Sequence, residues 1–325
     1  MLELTFTPQD LVTTRFAFSP LWDVVASIRV LKRPAEHALH RPWADQARAR
    51  LTAAGLDLAP LADLVPVPTK IIPAFVCPPP TVPVPDLELE LAAVRSTPPA
   101  VVRSNLKSLP PTPALHDLAD DPPSGLAALA DVIKSYWDLV LRPHWPRITT
   151  LYQSDVHARA RKLTEGGLTS LFADLDPNIG WDGEVLTVAH RTVSRRTGLG
   201  GRGLLLVPSV FVWPRVFSIS ASGWQPTLRY PPRRVATLWE KESRAPSSAL
   251  AAVLGPSRAQ LLAELEAPAS TQELAARTGL SSSGVSQHLT AMRDAGLVSA
   301  HRAGRFVLYA RTSAAESLLS AAGPT

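Results

Sequence analysis

The sequence lacks the features of a secreted or membrane-spanning protein. A single cysteine, Cys77, occurs in 325 residues, so no disulfide can form within the chain. No run of about 18 apolar residues occurs, and the N-terminus MLELTFTPQD carries acids and a proline where a signal peptide needs a basic start and an apolar run. These absences predict a cytoplasmic protein that does not contact a membrane.

Catalytic motifs are also absent. The sequence contains no G-x-S-x-G, HExxH, P-loop or paired-cysteine pattern, and its eight histidines are scattered apart from His37 and His40. That pair lies near a predicted helix start without a third ligand, so a solvated face is favoured over a metal site. Asp174, Asp176 and Asp182 surround a Pro-Asn-Ile-Gly turn, where acids are expected for turn geometry. The sequence therefore predicts no enzyme, no metal site and no cofactor.

One glycine-rich segment imitates a nucleotide-binding fingerprint. GLGGRG satisfies G-x-G-x-x-G at Gly198, Gly200 and Gly203. A dinucleotide fingerprint requires a strand, the loop and then a helix whose N-terminus meets the pyrophosphate. Here LLLVPSVFVW follows, with the composition of a strand and an internal proline. We therefore interpret the segment as a hairpin loop.

The first three quarters of the chain predict helices followed by strands. SPLWDVVASIRVL has Ser19 as a cap and helical spacing of its apolar residues, and GLAALADVIKSYWDLVL is equally periodic. LELTFTP predicts an edge strand that ends at Pro8. After Gly183, short β-rich runs predict a small antiparallel sheet. Residues 60–123 contain 16 of the 32 prolines, and interleaved apolar residues favour a segment packed against a domain over a flexible linker.

The most informative stretch is 270–311, which has the pattern of a helix-turn-helix followed by a β-wing. Ser270 and Glu273 have the spacing of a capping box, which predicts a helix start. Gly279 follows eight helical residues, where a glycine can adopt the positive φ of a tight reversal. Ser281 can then cap a second helix. Together these signals predict two short helices joined by a tight turn.

The second helix, at about 281–295, carries the predicted recognition surface. Val285, Leu289 and Met292 recur at i, i+4 and i+7 and form a buried stripe. Small polar side chains on the other side suit the major groove, where Gln pairs bidentately with adenine and Ser or Thr bonds base edges or phosphates. For the histidine, which lies nearer the stripe, a packing role is favoured over a DNA contact. The predicted DNA-binding residues of this helix are Ser282, Ser283, Ser286, Gln287, His288 and Thr290.

A predicted wing follows at about 297–311. Two alternating segments flank Ala303 and Gly304, which is a hairpin signal. Arg302 and Arg305 lie at its tip, where arginines can bind phosphates or enter a minor groove. We therefore add both arginines to the predicted DNA-binding residues.

These residues together resemble the winged helix-turn-helix of the ArsR-type transcriptional regulators. The resemblance extends back to GPSRAQLLAEL and covers about 75 residues. It implies a homodimer that binds double-stranded operator DNA, and it favours a repressor. Metal-sensing members carry cysteines on the first helix of the motif, whereas TQELAART has none, so a thiolate metal site is not implied. The alternatives are an enzyme, or a protein-interaction module, with an accessory winged helix.

The charge of the C-terminal region is small. The whole chain carries +5 with a pI near 9.6, which is compatible with nucleic acid. Residues 246–325 contain six arginines against five acids, a balance of +1. DNA affinity from one such domain should be weak, so we expect a dimer or other basic residues to add to it.

We therefore expect an α+β protein of two parts. Residues 1–245 form an N-terminal domain of helices and a small antiparallel sheet, which either senses a small-molecule effector or serves as an oligomerisation scaffold. Residues 246–325 form the winged helix-turn-helix. Its first helix, SSALAAVL, and its last, SAAESLLSAA with a capping box at Ser313 and Glu316, are candidates for the dimer interface.

Overall fold

The computed structural model describes the chain apart from several short segments. The chain divides into two compact units, one at 1–239 and one at 240–325. Both units contain helices and strands, which confirms the α+β class. The described residues are 1–68, 71–189, 194–219, 223–239, 248–265, 268–303 and 306–321.

The first unit is mainly helical. Ser19 caps the second helix, because its hydroxyl accepts a hydrogen bond from the Trp22 N–H at 3.0 Å, as predicted. The last helix is interrupted at Gly166 and Gly167, whose backbone angles are not helical. The α-helices are α1 Pro8–Thr13, α2 Pro20–Lys32, α3 Arg41–Ala54, α4 Ala59–Ala62, α5 Leu87–Arg95, α6 Pro99–Leu106, α7 Pro113–Asp120, α8 Pro122–Tyr136 and α9 Trp145–Phe172.

The largest core of the first unit lies among α2, α3 and α8. Trp22 and Trp43 are buried in it, as expected for core aromatics. The proline-rich segment contributes Phe75, Val76 and Cys77, all buried in the same core. The prediction that this segment packs against a folded domain is therefore confirmed.

The strands of the first unit form two four-stranded sheets, ordered β3-β4-β1-β5 and β2-β6-β8-β7. Both are mixed, because β1 pairs with β5, β2 with β6 and β6 with β8 in parallel, while the other pairs are antiparallel. The strands are β1 Leu2–Thr5, β2 Arg15–Phe16, β3 Ile179–Trp181, β4 Val185–Val188, β5 Arg195–Gly198, β6 Leu205–Pro208, β7 Phe217–Ile219 and β8 Thr227–Tyr230.

Two predictions about the strands are wrong. Instead of one antiparallel sheet there are two mixed ones, because β1 and β2 enter them from the start of the chain and because β6 and β8 pair in parallel across the segment that contains β7. β1 is not an edge strand, since β4 and β5 pair with its two sides. Pro8 ends no strand but occupies the first turn of α1, which Thr7 caps in a capping box with Asp10.

The glycine-rich segment connects β5 to β6, which belong to different sheets. It is followed by a strand, as expected, but it is not a hairpin loop. Gly203 has φ +68°, and its N–H donates to Asp10 Oδ1 at 2.9 Å. A Cβ there would lie 2.5 Å from the Thr13 carbonyl carbon, so the glycine permits close approach to α1.

The histidine pair is buried, which corrects the predicted solvated face. His40 is 0% exposed, and its Nδ1 accepts a hydrogen bond from Trp239 Nε1 at 2.8 Å. His37 is also buried. Burial lowers the pKa of His40 to about 4, so its ring is neutral and can accept this bond at neutral pH. The partner lies some 200 residues later in the chain, beyond the reach of local spacing.

Two of the carboxyl groups buried inside the first unit have a raised pKa. Asp23 accepts hydrogen bonds from Tyr152 Oη and Ser209 Oγ, both at 2.6 Å. Burial raises the pKa of Asp23 to about 7, against the opposing effect of these two bonds. Glu90 accepts from Ser19 Oγ at 2.6 Å, and burial raises its pKa to about 8. Both groups favour the neutral form inside the folded unit.

The second unit is smaller and has its own core. Its three-stranded sheet has the order β10-β11-β9. The core lies where α11, α12 and α13 meet this sheet, and it includes Leu274, Leu289 and Val298. The elements are α10 Ser248–Leu254, α11 Pro256–Glu264, β9 Ala269–Ser270, α12 Thr271–Thr278, α13 Ser282–Asp294, β10 Val298–Ala303, β11 Phe306–Arg311 and α14 Ser313–Ala321.

The start of α14 differs from the predicted capping box. Thr312 caps the helix, since its hydroxyl accepts from the Ala315 N–H at 3.4 Å. Glu316 instead lies 3.6 Å from the Arg311 guanidinium. The cap is therefore Thr312 and not the predicted Ser313. Both residue types can cap a helix, and sequence patterns do not resolve a shift of one residue.

Candidate nucleic-acid interface

The turn between α12 and α13 has the geometry that the sequence predicts. Ser270 and Glu273 form the capping box, with the Ser270 N–H donating to the Glu273 carboxylate at 2.7 Å. Gly279 ends α12 at φ +71°, a conformation that costs other residues about 1 kcal/mol or more. Ser281 then accepts from the Gly284 N–H at 3.1 Å and caps α13. These two caps and one glycine fix the reversal between the helices.

The two faces of α13 differ sharply in exposure. Val285, Leu289 and Met292 are buried in the core. Between residues 282 and 290 the opposite face is exposed and consists of uncharged side chains that can donate and accept hydrogen bonds, and Asp294 adds an exposed acid at its C-terminal end. His288 is half-buried, at the border of the two faces. The exposed members of the predicted set are Ser282, Ser283, Ser286, Gln287 and Thr290.

The exposed hydroxyls are not equally available. Ser283 Oγ lies 3.2 Å from Ser281 Oγ, within hydrogen-bond distance of the helix cap. A DNA contact from Ser283 would compete with this bond, so it should contribute less than a side chain without an intramolecular partner. Gln287 lies one turn further along the same face. We therefore expect a substitution of Gln287 to weaken DNA binding more than a substitution of Ser283.

The β10–β11 hairpin has a six-residue antiparallel register, from Val298 opposite Arg311 to Ala303 opposite Phe306. Arg302 is exposed near its tip. Arg305 lies outside the described residues. Among the predicted wing residues, Arg302 is therefore the one whose position the structure gives.

Arg311, at the base of the hairpin, is a structural residue that the sequence did not single out. Its Nε donates to the Leu262 carbonyl at 2.7 Å and its Nη2 to the Ala263 carbonyl at 2.6 Å. These bonds satisfy carbonyl groups near the end of α11, which have no partner inside the helix. The side chain thereby ties the wing to α11, and no sequence pattern marked it for this role.

Some of the described cations beside α13 are already engaged by groups of the protein itself. Arg293 lies 3.0 Å from Asp294, and the Arg277 guanidinium donates to the Glu264 carbonyl at 3.4 Å. With Arg311, and with Arg258, which donates to the Leu254 carbonyl at 3.4 Å, intramolecular partners engage four of the six arginines of this region. Because the net charge of the region is low and these arginines have intramolecular partners, phosphate binding depends more on Arg302.

Two absences among the described residues bear on other kinds of site. No group of three or more His, Cys, Asp or Glu side chains within them converges so as to hold a metal ion. Of the described helices, none is both long and apolar enough to cross a membrane.

Comparison with protein families identifies the type of domain in the second unit. Residues 253–299 match the helix-turn-helix domain family. The C-terminal unit contains a helix-turn-helix domain. The family match confirms the motif predicted from the capping box, Gly279 and the α13 stripe, and at the level of the family it supports a DNA-binding regulator of transcription. The match ends before most of the β10–β11 hairpin.

The first unit matches a family without an assigned function. Residues 100–236 match the family of unknown function DUF5937. No curated protein and no solved structure is significantly similar to the chain. The role of the first unit must therefore be argued from its own side chains.

Proposed function

We propose that this protein is a homodimeric regulator of the ArsR type that represses transcription by binding operator DNA through α13 and the β10–β11 hairpin. The observation that carries the proposal is the exposed polar face of α13, held opposite a buried stripe by the tight turn at Gly279. A helix of 13 residues is about 20 Å long and fits the major groove. The proposal assigns no catalytic activity to either unit.

Gln287 is the central base contact in this proposal. Its amide can bond adenine N6 and N7 together, which discriminates adenine from the other bases in the major groove. Ser286 and Thr290 flank it on the exposed face and can bond base edges or phosphates. Arg302 at the hairpin binds a phosphate beside the groove. The operator should therefore contain an adenine at the position that faces Gln287.

A dimer is proposed for two reasons. One domain with a balance of +1 neutralises few phosphates, so two domains on a pseudo-palindrome are needed for firm binding. Val253 on α10 is 77% exposed, although it lies in an apolar helix. We assign α10 and α14 to the dimer interface because an apolar side chain of this kind gains most by contact with a second copy.

The test is binding of the full chain to DNA from upstream of its own gene, with a shuffled fragment of equal length as reference. Gln287→Ala should weaken binding to the specific fragment by about 1–3 kcal/mol, or about 5- to 150-fold, and leave the shuffled fragment unaffected. Gln153→Ala, an exposed position on α9, is the matched control and should change neither. Equal loss on both fragments would remove Gln287 from base recognition. Absence of specific binding by the wild type would overturn the proposal.

A further inference from the structure

The first unit contains an open cleft of about 520 Å³. The cleft lies between the end of α9, the loop before β3 and the segment after β8, all within one compact unit. Its size falls in the range of small-molecule sites. The lining residues that matter here are Arg159, Asp174, Trp213, Pro231, Arg233 and Val235.

The buried charge behind the cleft is already neutralised. Asp155 Oδ2 accepts from Arg159 Nε at 2.8 Å and from Tyr230 Oη at 2.9 Å, while its Oδ1 accepts from the Arg233 N–H at 2.9 Å. Both oxygens of this carboxylate are therefore engaged. The pair of Asp155 and Arg159 forms a rigid base for the cleft, since both side chains are buried.

Three cations lie around the Asp174 carboxylate at the mouth of the cleft. Asp174 Oδ2 lies 3.0 Å from Lys162 Nζ, 3.6 Å from Arg233 Nη1 and 4.0 Å from Arg159 Nη1. Partial burial acts to raise the pKa of Asp174, but these cations outweigh it and hold the pKa below its ordinary value. The side chain of Asp176 is used in its own turn, where Oδ1 accepts from the Asn178 N–H at 2.8 Å.

Arg233 is the cation best placed to meet a ligand. Its side chain is 48% exposed, and its ion pair with Asp174, at 3.6 Å, is longer than a hydrogen bond. The planar fork of a guanidinium matches a carboxylate bidentately. A second carboxylate can therefore bind Arg233 while Lys162 keeps its 3.0 Å contact with Asp174.

The cleft is also lined by apolar rings. Trp213 lines it together with Pro214 and Pro231. Indole and pyrrolidine faces favour a planar apolar body, which they contact over a large area. We propose that this cleft binds a small organic anion with a flat apolar body, the carboxylate on Arg233 and the body against Trp213, and that this molecule is the effector of the regulator.

The cleft is continuous with the segment that leads to the second unit. Pro231, Arg233 and Val235 line the cleft, and the short 3-10 helix Val235–Trp239 follows directly. Trp239 is fastened by its bond to His40 and is the last residue of the first unit. Arg234, beside the cleft residues, has φ +60°, a conformation that is strained for a residue other than glycine. A ligand on Arg233 therefore acts on the few residues through which the chain continues into the DNA-binding unit.

The ligand arm of the experiment does not depend on DNA. The full chain is titrated with benzoate, benzamide and benzamidine, which share a shape and differ in charge, and tryptophan fluorescence is followed. Benzoate should bind about tenfold more tightly than benzamide, because a charged acceptor strengthens the bond to a guanidinium, and benzamidine should bind least. Arg233→Gln should abolish the preference for benzoate. Arg196→Gln, an exposed arginine on β5, makes the same charge change outside the cleft and should retain it.

Equal binding of benzoate and benzamide, a preference for benzamidine, or no binding of any of the three would overturn the proposed ligand class. Trp213→Phe should reduce the fluorescence change while calorimetry still detects benzoate. Unchanged fluorescence in that variant would place the ligand elsewhere and also overturn the site.

The effector role rests on the proposed function, and a second arm tests it separately. Saturating benzoate should change operator affinity of the wild type by about 5- to 150-fold, and operator DNA should change benzoate affinity by the same factor. Benzoate that binds without altering operator affinity would overturn the effector role alone. Failure of the ligand-free protein to bind operator would overturn the proposed function while the ligand arm still stands.

Discussion

The two units place their charged and polar groups in opposite ways. The first unit buries Asp23, Glu90, Asp155 and Arg159 among apolar side chains and satisfies them with hydrogen bonds. The second unit exposes the polar face of α13, and the buried charged side chains among its described residues include Glu264 and Arg311. Buried polar groups are costly unless every partner is in place, so they specify geometry. Exposed groups remain free to bind a partner.

The units differ in the same way in how far their contacts reach along the chain. In the first unit, β1 pairs with strands that begin some 180 residues later. In the second unit, the capping box, the turn and the hairpin all join residues that are close in sequence. The strand pairing of β1 in the first unit therefore depends on residues far apart in the sequence. The helix-turn-helix and the hairpin of the second unit depend on residues that are close in the sequence. The predictions below perturb one unit and follow the other.

The largest effect is expected from Arg159→Met. Removing one partner of a buried ion pair leaves Asp155 as an uncompensated buried charge, which costs about 3–5 kcal/mol. Urea unfolding followed by tryptophan fluorescence measures this loss in the first unit alone, because all eight tryptophans precede residue 240. Arg161→Met breaks an exposed pair with Glu165 and should leave the midpoint unchanged. Similar shifts for both variants would contradict the assigned burial of the pair.

Leu289→Ala should destabilise the second unit by about 2–5 kcal/mol, since the side chain is fully buried in a small core. DNA binding should be lost, whereas the urea midpoint reported by tryptophan should not move. Limited proteolysis would locate new cleavage within 248–321. A matching shift of the tryptophan signal would mean that the two units unfold together, and the contrast between them would fail.

Asp23→Asn tests the buried carboxyl through pH. The folded pKa is raised to about 7 from an ordinary value of 3.8, so between these values the folded state holds a proton that the unfolded state has released. Its stabilisation is thus present at low pH and lost as pH rises toward 7. Asn mimics the neutral acid but does not titrate. The free energy of unfolding of the variant should therefore fall less steeply as pH rises, by about 1.4 kcal/mol per pH unit. Urea unfolding midpoints of the wild type and the variant, measured from about pH 4 to 8, test this prediction.

Glu90 gives the Asp23 experiment an independent comparison. Its pKa is raised to about 8 from 4.5, so Glu90→Gln should flatten the stability profile over a window that extends about one unit higher. A profile unchanged in both variants would show that these acids titrate alike in the folded and unfolded states.

The smallest effect is expected at the hairpin. Arg302→Ala leaves one phosphate per subunit without its cation and should reduce the slope of log affinity against log salt by about one unit for each such phosphate. Specific and shuffled DNA should weaken alike, unlike the result for Gln287→Ala. Arg258→Ala, an exposed arginine at the start of α11, serves as the control, and a slope unchanged in the hairpin variant would remove the wing from the DNA.

Most of the second unit could be predicted because its signals are local. Ser270 and Glu273 are three residues apart, and the α13 stripe repeats within three turns. The contacts of Arg311 were missed, since they join residues almost 50 positions apart. A pattern within one element fixes that element but says nothing about which distant carbonyl a long side chain will reach.

Much less of the first unit could be predicted, for the same physical reason. The helix after Ser19 is predicted from its cap and periodicity, and the structure confirms it. The partners of the strands were not predicted, because alternation predicts a strand without predicting its neighbour. His40 was assigned to a solvated face because Trp239, which covers it, lies far away in the sequence. The cleft at Arg233 left no signal in the sequence, since four separate segments build it.

The central place of β1 in its sheet also sets an order of events during synthesis. Both neighbours of the strand, β4 and β5, are synthesised some 180 residues after it. At about 5–20 residues per second, β1 waits roughly 10–40 seconds with both edges unpaired. The apolar side chains Leu2 and Leu4 are exposed for that time and offer a binding site for chaperones. The helix-turn-helix, which is closed by short-range contacts, has no such delay.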